Sequence, residues 1–231
     1  MKRLAIQWTL PVFVALTALS VSLGAGSDKP VSWNAKSALK EMDKALKDVR
    51  GLTAMLHWDE LFCDQQIKGS GKFYVNLSGR VRADVGGSNP RTIIVTPPFF
   101  YIYNKLEGAA HRYYLPSRPD VLGQYALAGF NPAGSNLKKQ YKVTLLRSEE
   151  VDGHDTVVFN LVPKSKEAAA AIAAIVLWVD QETWMPYRQI IRHGSSGLQA
   201  TVTYSDISTS EELPEELFLD VWPPETEIIQ Q

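Results

Sequence analysis

The sequence has very little cysteine and almost no excess of charge. The single cysteine, Cys63, in 231 residues excludes an intrachain disulfide framework and a cysteine-rich zinc site. Lysine and arginine number 24 and aspartate and glutamate 25, so the formal net charge is −1. A nucleic-acid-binding protein needs surplus positive charge to displace counterions from phosphates, so we expect no nucleic-acid partner. Four histidines and four methionines leave little material for haem or copper ligation, and we expect neither cofactor nor metal.

Catalytic motifs are also scarce. The sequence contains no G-x-S-x-G nucleophile elbow, no Walker loop and no G-x-G-x-x-G. Two S-x-x-K matches, at 37–40 and 135–138, lack the S-D-N and K-T-G motifs that accompany them in serine hydrolases. His57 and Asp59 share one face of a predicted strand and are possible metal ligands, although a solvated outer face is the favoured interpretation. The sequence therefore predicts a protein that is not an enzyme, with an S-x-x-K hydrolase as the weakest alternative.

The N-terminal segment has the layout of a secretory signal peptide. Lys2 and Arg3 supply a positive start, and residues 4–23 carry no charge. Small residues follow, with Ala25 as the expected last residue removed. An uncleaved membrane anchor is the alternative, but Pro11 interrupts the apolar run. We predict a signal peptide over 1–25, export across the inner membrane to the periplasm, and a single monomeric domain over 26–231.

An amphipathic helix is predicted at 34–50. Ser32 or Asn34 can cap its first turn, and Gly51 can end it. Apolar residues recur at helical spacing while charged residues face away, so the helix needs an apolar surface to lie on. The stripe that we expect to act as a lid consists of Leu39, Met42, Leu46 and Val49.

After Gly51 the apolar period changes from 3.6 to 2, which indicates strands. A Gly/Pro-rich stretch at 116–139 interrupts the meander, and 121–127 and 164–171 are predicted as short helices. Gly69–Gly71 is predicted as a turn. Short connections favour antiparallel pairing. The predicted strands are 52–64, 72–77, 80–85, 92–95, 99–104, 111–115, 140–147, 156–162, 175–179, 185–192 and 199–205.

The predicted fold class is therefore α+β and mostly β. It is a curled antiparallel sheet of about eleven strands, forming an unclosed barrel. The N-terminal helix and the short inserted helices cover its concave face. Such a sheet has an apolar inner face that suits an apolar ligand. An apolar cavity of about 300 Å³ or more would favour ligand carriage over a filled core.

Alternation along the strands predicts which side chains point to the concave side. Both faces of 99–103 are apolar, which indicates that both sides are covered or that one holds a ligand. Tyr101 and Tyr103 are chosen here over Phe100 and Ile102. The candidate cavity residues are Phe73, Val75, Val81, Tyr101, Tyr103, Phe159, Leu177 and Val179.

The order of short patterns resembles a known family, the periplasmic outer-membrane lipoprotein carrier (LolA/LolB-like) superfamily. The patterns are GSGKFYV, GRVRADV, RTIIVTPPFFYIYN, VVFNLVPK, IVLWVDQETWMPYRQII, TVTYSDI and the ending LFLDVWPPETEII. In that family an unclosed barrel lidded by helices shields lipoprotein acyl chains, and soluble carriers latch the lid with an arginine after the second strand. Here Asn76–Leu77 stands at that place, and Arg80 and Arg82 follow a few residues later.

The resemblance implies a function in lipid or lipoprotein transport. We expect an exported carrier that binds the acyl chains of a lipoprotein or lipid and meets a transient membrane-associated donor or acceptor. The alternative is an envelope-stress sensor or interaction module on the same fold, without transport.

Overall fold

The described part of the chain forms one twelve-stranded sheet with three short α-helices. A computed structural model describes residues 33–62, 65–76, 79–115, 129–130, 135–194, 198–210 and 212–231. The helices are α1 Ala35–Leu46, α2 Ser135–Gln140 and α3 Lys166–Ala171. The strands are β1 Gly51–Phe62, β2 Gln65–Asn76, β3 Val81–Val85, β4 Arg91–Thr96, β5 Phe99–Asn104, β6 Ala109–Tyr114, β7 Tyr141–Val151, β8 His154–Pro163, β9 Ile172–Asp180, β10 Pro186–His193, β11 Gln199–Ser210 and β12 Glu227–Gln230.

The sheet is curled and unclosed, with the strand order β12-β6-β5-β4-β3-β2-β1-β11-β10-β9-β8-β7. Strand β1 lies in the middle, between β2 and β11. Neighbours pair antiparallel except at one edge, where β12 runs parallel to β6. The predicted fold class is confirmed. The extra strand is β12, which the sequence did not indicate because it is short and lies beyond two prolines.

The predicted N-terminal helix is present but ends earlier than expected. Asn34 is the N-cap, and its side chain accepts a hydrogen bond from the Ser37 amide at 2.9 Å. The C-cap is Lys47, not Gly51. Gly51 is instead the first residue of β1, paired with Asn76 on one side and Ser210 on the other. The backbone of Gly51 therefore forms part of the sheet and does not cap the helix.

The predicted turn at Gly69–Gly71 is wrong, because these residues lie inside β2. Gly71 pairs with Leu56 on one neighbour and with Val85 on the other. A Cβ on Gly71 would lie 1.6 Å from the carbonyl oxygen of Asp84, and one on Gly69 would lie 2.4 Å from that of Gly86. These glycines permit close backbone approach rather than chain reversal. The predicted start of the second strand at 72 is therefore seven residues too late.

The main core lies on the concave face, which we define as the face that α1 covers. Buried residues of α1 pack in one cluster with inward side chains of β1–β5 and β7–β11. The short helix predicted at 164–171 is present as α3. No helix among the described residues is long and apolar enough to span a membrane. The predicted signal peptide, Cys63 and the predicted helix at 121–127 lie outside the described residues.

The C-terminal strap, residues 212–231, covers the opposite, convex face. Its 3₁₀-helix, Glu215–Phe218, contacts β3 and β4. Arg82 Nη1 donates to the Leu217 carbonyl at 3.1 Å, and Thr96 Oγ1 donates to the Phe218 carbonyl at 2.7 Å. The strap then ends as β12 on the edge of β6. The sheet therefore has cover on both sides at β3–β6, which explains the two apolar faces of 99–103.

Candidate functional site

Six of the eight predicted cavity residues lie together on the concave face. All six are buried, with exposed fractions of at most 7%, and belong to the main core cluster. They come from β2, β3, β8 and β9, so strands from both halves of the curled sheet contribute. They are Phe73, Val75, Val81, Phe159, Leu177 and Val179. That they bind a ligand stays a prediction.

The predicted facing of Tyr101 and Tyr103 is wrong. Tyr101 lies between Ile94 and Arg112 on the convex face. Both tyrosine rings contact Trp222 of the strap, at centroid distances of 6.0 and 5.2 Å. Burial and a hydrogen bond to Asp220 raise the pKa of Tyr101 to about 12, so its hydroxyl stays protonated. Phe100 and Ile102 pack against the concave core instead. Alternation could not decide between the two pairs of residues, because both faces of this strand are apolar. One face packs on the concave core and the other packs on the strap.

The predicted lid stripe lies against the concave core. Leu39, Met42 and Leu46 are between 1% and 4% exposed, and Val49 is partly buried just beyond the helix. At the other end of α1, the Trp33 ring meets Trp184 edge-on at 4.8 Å. Trp33 Nε1 donates to Gln181 Oε1 at 3.0 Å. Helix α1 is therefore held along its length by apolar contacts and at its start by the β9–β10 turn.

Three aromatic rings form the centre of the interior. Phe73, Phe130 and Tyr204 contact one another with centroid distances of 5.0, 5.5 and 4.6 Å. Gln189, which is fully buried, donates through Nε2 to the Tyr204 hydroxyl at 3.2 Å. Burial raises the pKa of Tyr204 well above its ordinary value, so the interior holds a neutral hydroxyl. The hydrogen-bonded pair of Gln189 and Tyr204 is therefore a polar group within the largely apolar interior.

Sequence reasoning missed Phe130, Gln189 and Tyr204. Tyr204 follows Val202 at a spacing of two in a predicted strand, so alternation could have found it. Phe130 lies in the Gly/Pro-rich stretch that interrupts the meander, where no periodicity marks an inward residue. A buried glutamine carries no sequence signal of its burial.

The interior is closely packed beside the end of α1. The space between Leu46, Val49, Leu52, Val75 and Phe130 measures about 10 Å³, which holds no more than one water molecule. The interior at this point is filled by the protein's own side chains. A ligand there must therefore displace some of them.

A much larger space, here called the groove, opens beside Tyr204. It has a volume of about 540 Å³. One wall is β11 from Thr203 to Thr209, and the other is the β9–β10 turn with Met185 and Pro186. Tyr204 therefore lies between the aromatic centre of the interior and the groove.

The two arginines that follow β2, Arg80 and Arg82, contact the convex face. Arg80 forms an ion pair with Glu215 of the strap at 3.2 Å. Arg82 binds Asp84 and the Leu217 carbonyl. Both side chains hold the strap rather than α1.

Three further sequence candidates, Ser37, His57 and Asp59, make local contacts. Ser37 is the N3 residue of the α1 capping box, which accounts for the hydroxyl of the first S-x-x-K match. His57 Nε2 lies 3.4 Å from Ser205 Oγ, and Asp59 accepts hydrogen bonds from Gln66. The described residues include no group of three or more acidic, histidine or cysteine side chains that could hold a metal ion.

One solved structure in the comparisons shares the fold of this chain. A protein from Thermus thermophilus, described as an uncharacterized conserved protein, superposes with a TM-score of 0.55 at 10% identity, over 85% of this chain and 99% of that one. This likeness shows a shared fold. The chain is also similar to a LolA superfamily protein from Nitrosomonas europaea, with a TM-score of 0.44 and 17% identity over 82% of this chain and 99% of that one.

A third similar structure is a putative outer membrane lipoprotein-sorting protein domain from Vibrio parahaemolyticus. It has a TM-score of 0.44 and 13% identity over 80% of this chain and 97% of that one. A family model described only as an uncharacterized protein matches residues 131–219, less than half of the chain. No curated protein matches the sequence.

Proposed function

We propose that this protein is an exported carrier that binds the acyl chains of a lipoprotein or lipid between α1 and the concave face. The observation that carries the proposal is the way α1 is attached. Its stripe lies on an apolar surface built from strands of both halves of the sheet. Apolar contacts have no directional requirement, so an acyl chain can replace them where it could not replace a hydrogen-bonded cover.

The energies of the helix stripe and of an acyl chain are comparable. Burial of Leu39, Met42 and Leu46 contributes roughly 1.5–3 kcal/mol each, or about 5–9 kcal/mol together. A buried methylene contributes about 0.8 kcal/mol, so roughly six to eleven methylenes of an acyl chain match the stripe. Exchange between the helix and cargo is therefore close to balanced, as a carrier that must both load and release requires.

The polar pair of Gln189 and Tyr204 suits the head of such a cargo. Tyr204 lies at the boundary between interior and groove, and its neutral hydroxyl, which accepts a hydrogen bond from the buried Gln189 amide, can hydrogen-bond an ester or amide carbonyl. The acyl chains would lie among the concave side chains, and the polar part would leave through the groove. Periplasmic location, a monomeric state and a transient membrane-associated donor or acceptor belong to the same proposal.

The test places a charge on the stripe. Leu46→Asp should loosen α1 and weaken the binding of the fluorescent apolar probe N-phenyl-1-naphthylamine, because the charge lies on the surface that the probe needs. Lys40→Asp puts the same carboxylate on the exposed side of the same helix and should leave binding unchanged. Far-UV circular dichroism should keep its strand signal in both variants.

Two results would contradict the proposal. Unfolding of the whole domain by Leu46→Asp would make α1 an integral core element rather than a lid. Unchanged probe binding in a folded Leu46→Asp variant would show that α1 does not cover the site. Native mass spectrometry of the exported protein should in addition show a discrete co-purified acyl lipid.

A further inference from the structure

Strand β11 has an open edge in the middle of the sheet. Along β1 it pairs over its whole length, from Gln199 to Ser210. Along β10 it pairs only from Gln199 to Thr203. From Ser205 to Thr209, the edge that faces the groove has no strand partner among the described residues.

The edge is open for two local reasons. Strand β10 begins at Pro186, which has no backbone N–H to donate. On β11, Asp206 has a positive φ of 51° at a β-bulge where Asp206 and Ile207 stand opposite Ala54. A bulge bends its strand, and this one lies where β11 parts from β10.

The opposite wall is held in place by its own contacts. Asp180 Oδ1 accepts hydrogen bonds from the amides of Glu182 and Thr183, at 3.0 and 2.7 Å. Its Oδ2 lies 3.0 Å from His154 Nδ1, and the His154 ring stacks on Tyr187 at 4.4 Å. These contacts fix the conformation of the turn, so this wall of the groove is preformed.

The groove has the charge and the dimensions for an extended basic peptide. Among the described residues, its lining includes the carboxylates of Asp180, Glu182 and Asp206 and the imidazole of His154, but no lysine or arginine. Its apolar lining includes Met185, Pro186 and Ile207. An edge of five residues is about 17 Å long at the usual strand rise. Anionic lipid head groups would be repelled by these carboxylates, so the charge favours a peptide over a membrane surface.

We propose that the groove binds an extended peptide with alternating basic and apolar residues, which adds a strand to the Ser205–Thr209 edge of β11. The peptide backbone would pair with β11, as in other cases of strand addition. Its basic side chains would face Glu182 and Asp206, and its apolar side chains would contact Met185 and Ile207. This inference does not depend on lipid carriage.

The first experiment measures binding of a fluorescein-labelled peptide of alternating lysine and threonine or valine by fluorescence anisotropy. The same peptide with glutamate for lysine should bind at least about tenfold more weakly, because it places like charges in the groove. A version with N-methyl groups on alternate amides of the pairing edge should lose binding, because it cannot form ladder hydrogen bonds. Equal binding of the N-methylated peptide would overturn strand addition.

The second experiment removes the groove's charge. The double variant Glu182→Gln and Asp206→Asn should weaken binding about fivefold. Asparagine tolerates the positive φ at 206, so the bulge is retained. The matched control, Glu216→Gln with Glu225→Gln, neutralises two exposed carboxylates on the strap and should leave affinity unchanged. An equal loss of peptide affinity in both double variants would show that binding depends only on the net charge of the protein. That result would overturn the assignment to the groove.

Hydrogen exchange identifies the occupant of the edge. Amides of Ser205–Thr209 that face the groove should exchange quickly in the free protein and slowly with the lysine peptide. Slow exchange without peptide would show that another part of this chain already covers the edge, which overturns the proposal. Protection by vesicles of phosphatidylglycerol, and not by the peptide, would assign the groove to a lipid surface and would equally overturn it.

Discussion

The two faces of the sheet are covered by different means. On the concave face α1 is held chiefly by an apolar stripe, with one side-chain hydrogen bond from Trp33 at its start. On the convex face the strap is held by the buried ring of Phe218 and, in addition, by directional bonds from Arg82 and Thr96 to strap carbonyls and along the β6–β12 ladder. The concave cover can therefore be exchanged for another apolar group, whereas the convex cover requires its own partners. This difference is the reason that the proposed cargo site lies on the concave side.

The largest effect should come from the anchor of the convex cover. Phe218 is 1% exposed, so Phe218→Ala should lower the free energy of unfolding by about 3–5 kcal/mol. The neighbouring Leu219 is 48% exposed, and Leu219→Ala should change it by less than about 0.5 kcal/mol. Urea unfolding measures both. If Phe218→Ala also changed probe affinity in the folded protein, the two covers would be coupled and the comparison would fail.

A smaller loss of stability is expected on the concave side, with a gain of binding. Met42→Ala should cost about 2–3 kcal/mol, at the low end for such truncations, because the helix can settle on the sheet. The substitution weakens the packing of α1 on the concave face without adding a charge. Because the probe then displaces α1 more easily, its affinity should rise roughly tenfold. Urea unfolding and probe titration measure the two effects. Lower affinity in a folded Met42→Ala protein would show that Met42 is needed for binding rather than displaced by it.

The smallest effect is a pH dependence on the convex side. Burial alone would raise the pKa of Asp84, but hydrogen bonds from Arg82 and Thr92 outweigh it and hold that pKa below its ordinary value. The unfolded chain therefore binds the proton more readily. The stabilisation is complete above the unfolded pKa of about 3.9 and is lost as the pH falls through the folded pKa.

Asp84→Asn should accordingly flatten part of the fall in stability between pH 5 and pH 3, measured by urea unfolding at each pH. Glu149 and Asp180 also have lowered pKa values, so part of the slope should remain. On α1 itself burial raises the pKa of Asp43, so protonation of that group at low pH should not loosen the helix. Displacement of α1 by acid before the strap loosens would contradict this assignment.

The spacing of apolar residues along the sequence predicted the elements whose side-chain facing depends only on neighbouring residues. Helical spacing identified Leu39, Met42 and Leu46 as one stripe, and Asn34 was a predicted cap. Alternation placed Phe73 and Val75 on one face because their neighbours, such as Tyr74, are more polar, and the structure buries both residues. Where glycine occurred in a strand, the same reasoning failed, since a glycine for close approach and a glycine for a turn look alike in sequence.

Long-range contacts decided the rest. The facing of Tyr101 and Tyr103 depends on Trp222, more than a hundred residues further along the chain. The groove depends on where β10 stops pairing with β11, and the aromatic centre depends on Phe130, which no periodicity marks.

The sequence by itself determined the helix stripe, the alternating meander and the curled antiparallel sheet, because the side-chain periods of 3.6 and 2 are written into the order of residues. Only the tertiary structure decided which apolar face meets the helix and which meets the strap. The hydrophobic effect favours burial of an apolar side chain but is non-directional, so it does not specify which group covers that side chain. The covering group depends on the register of strands that lie far apart in the chain.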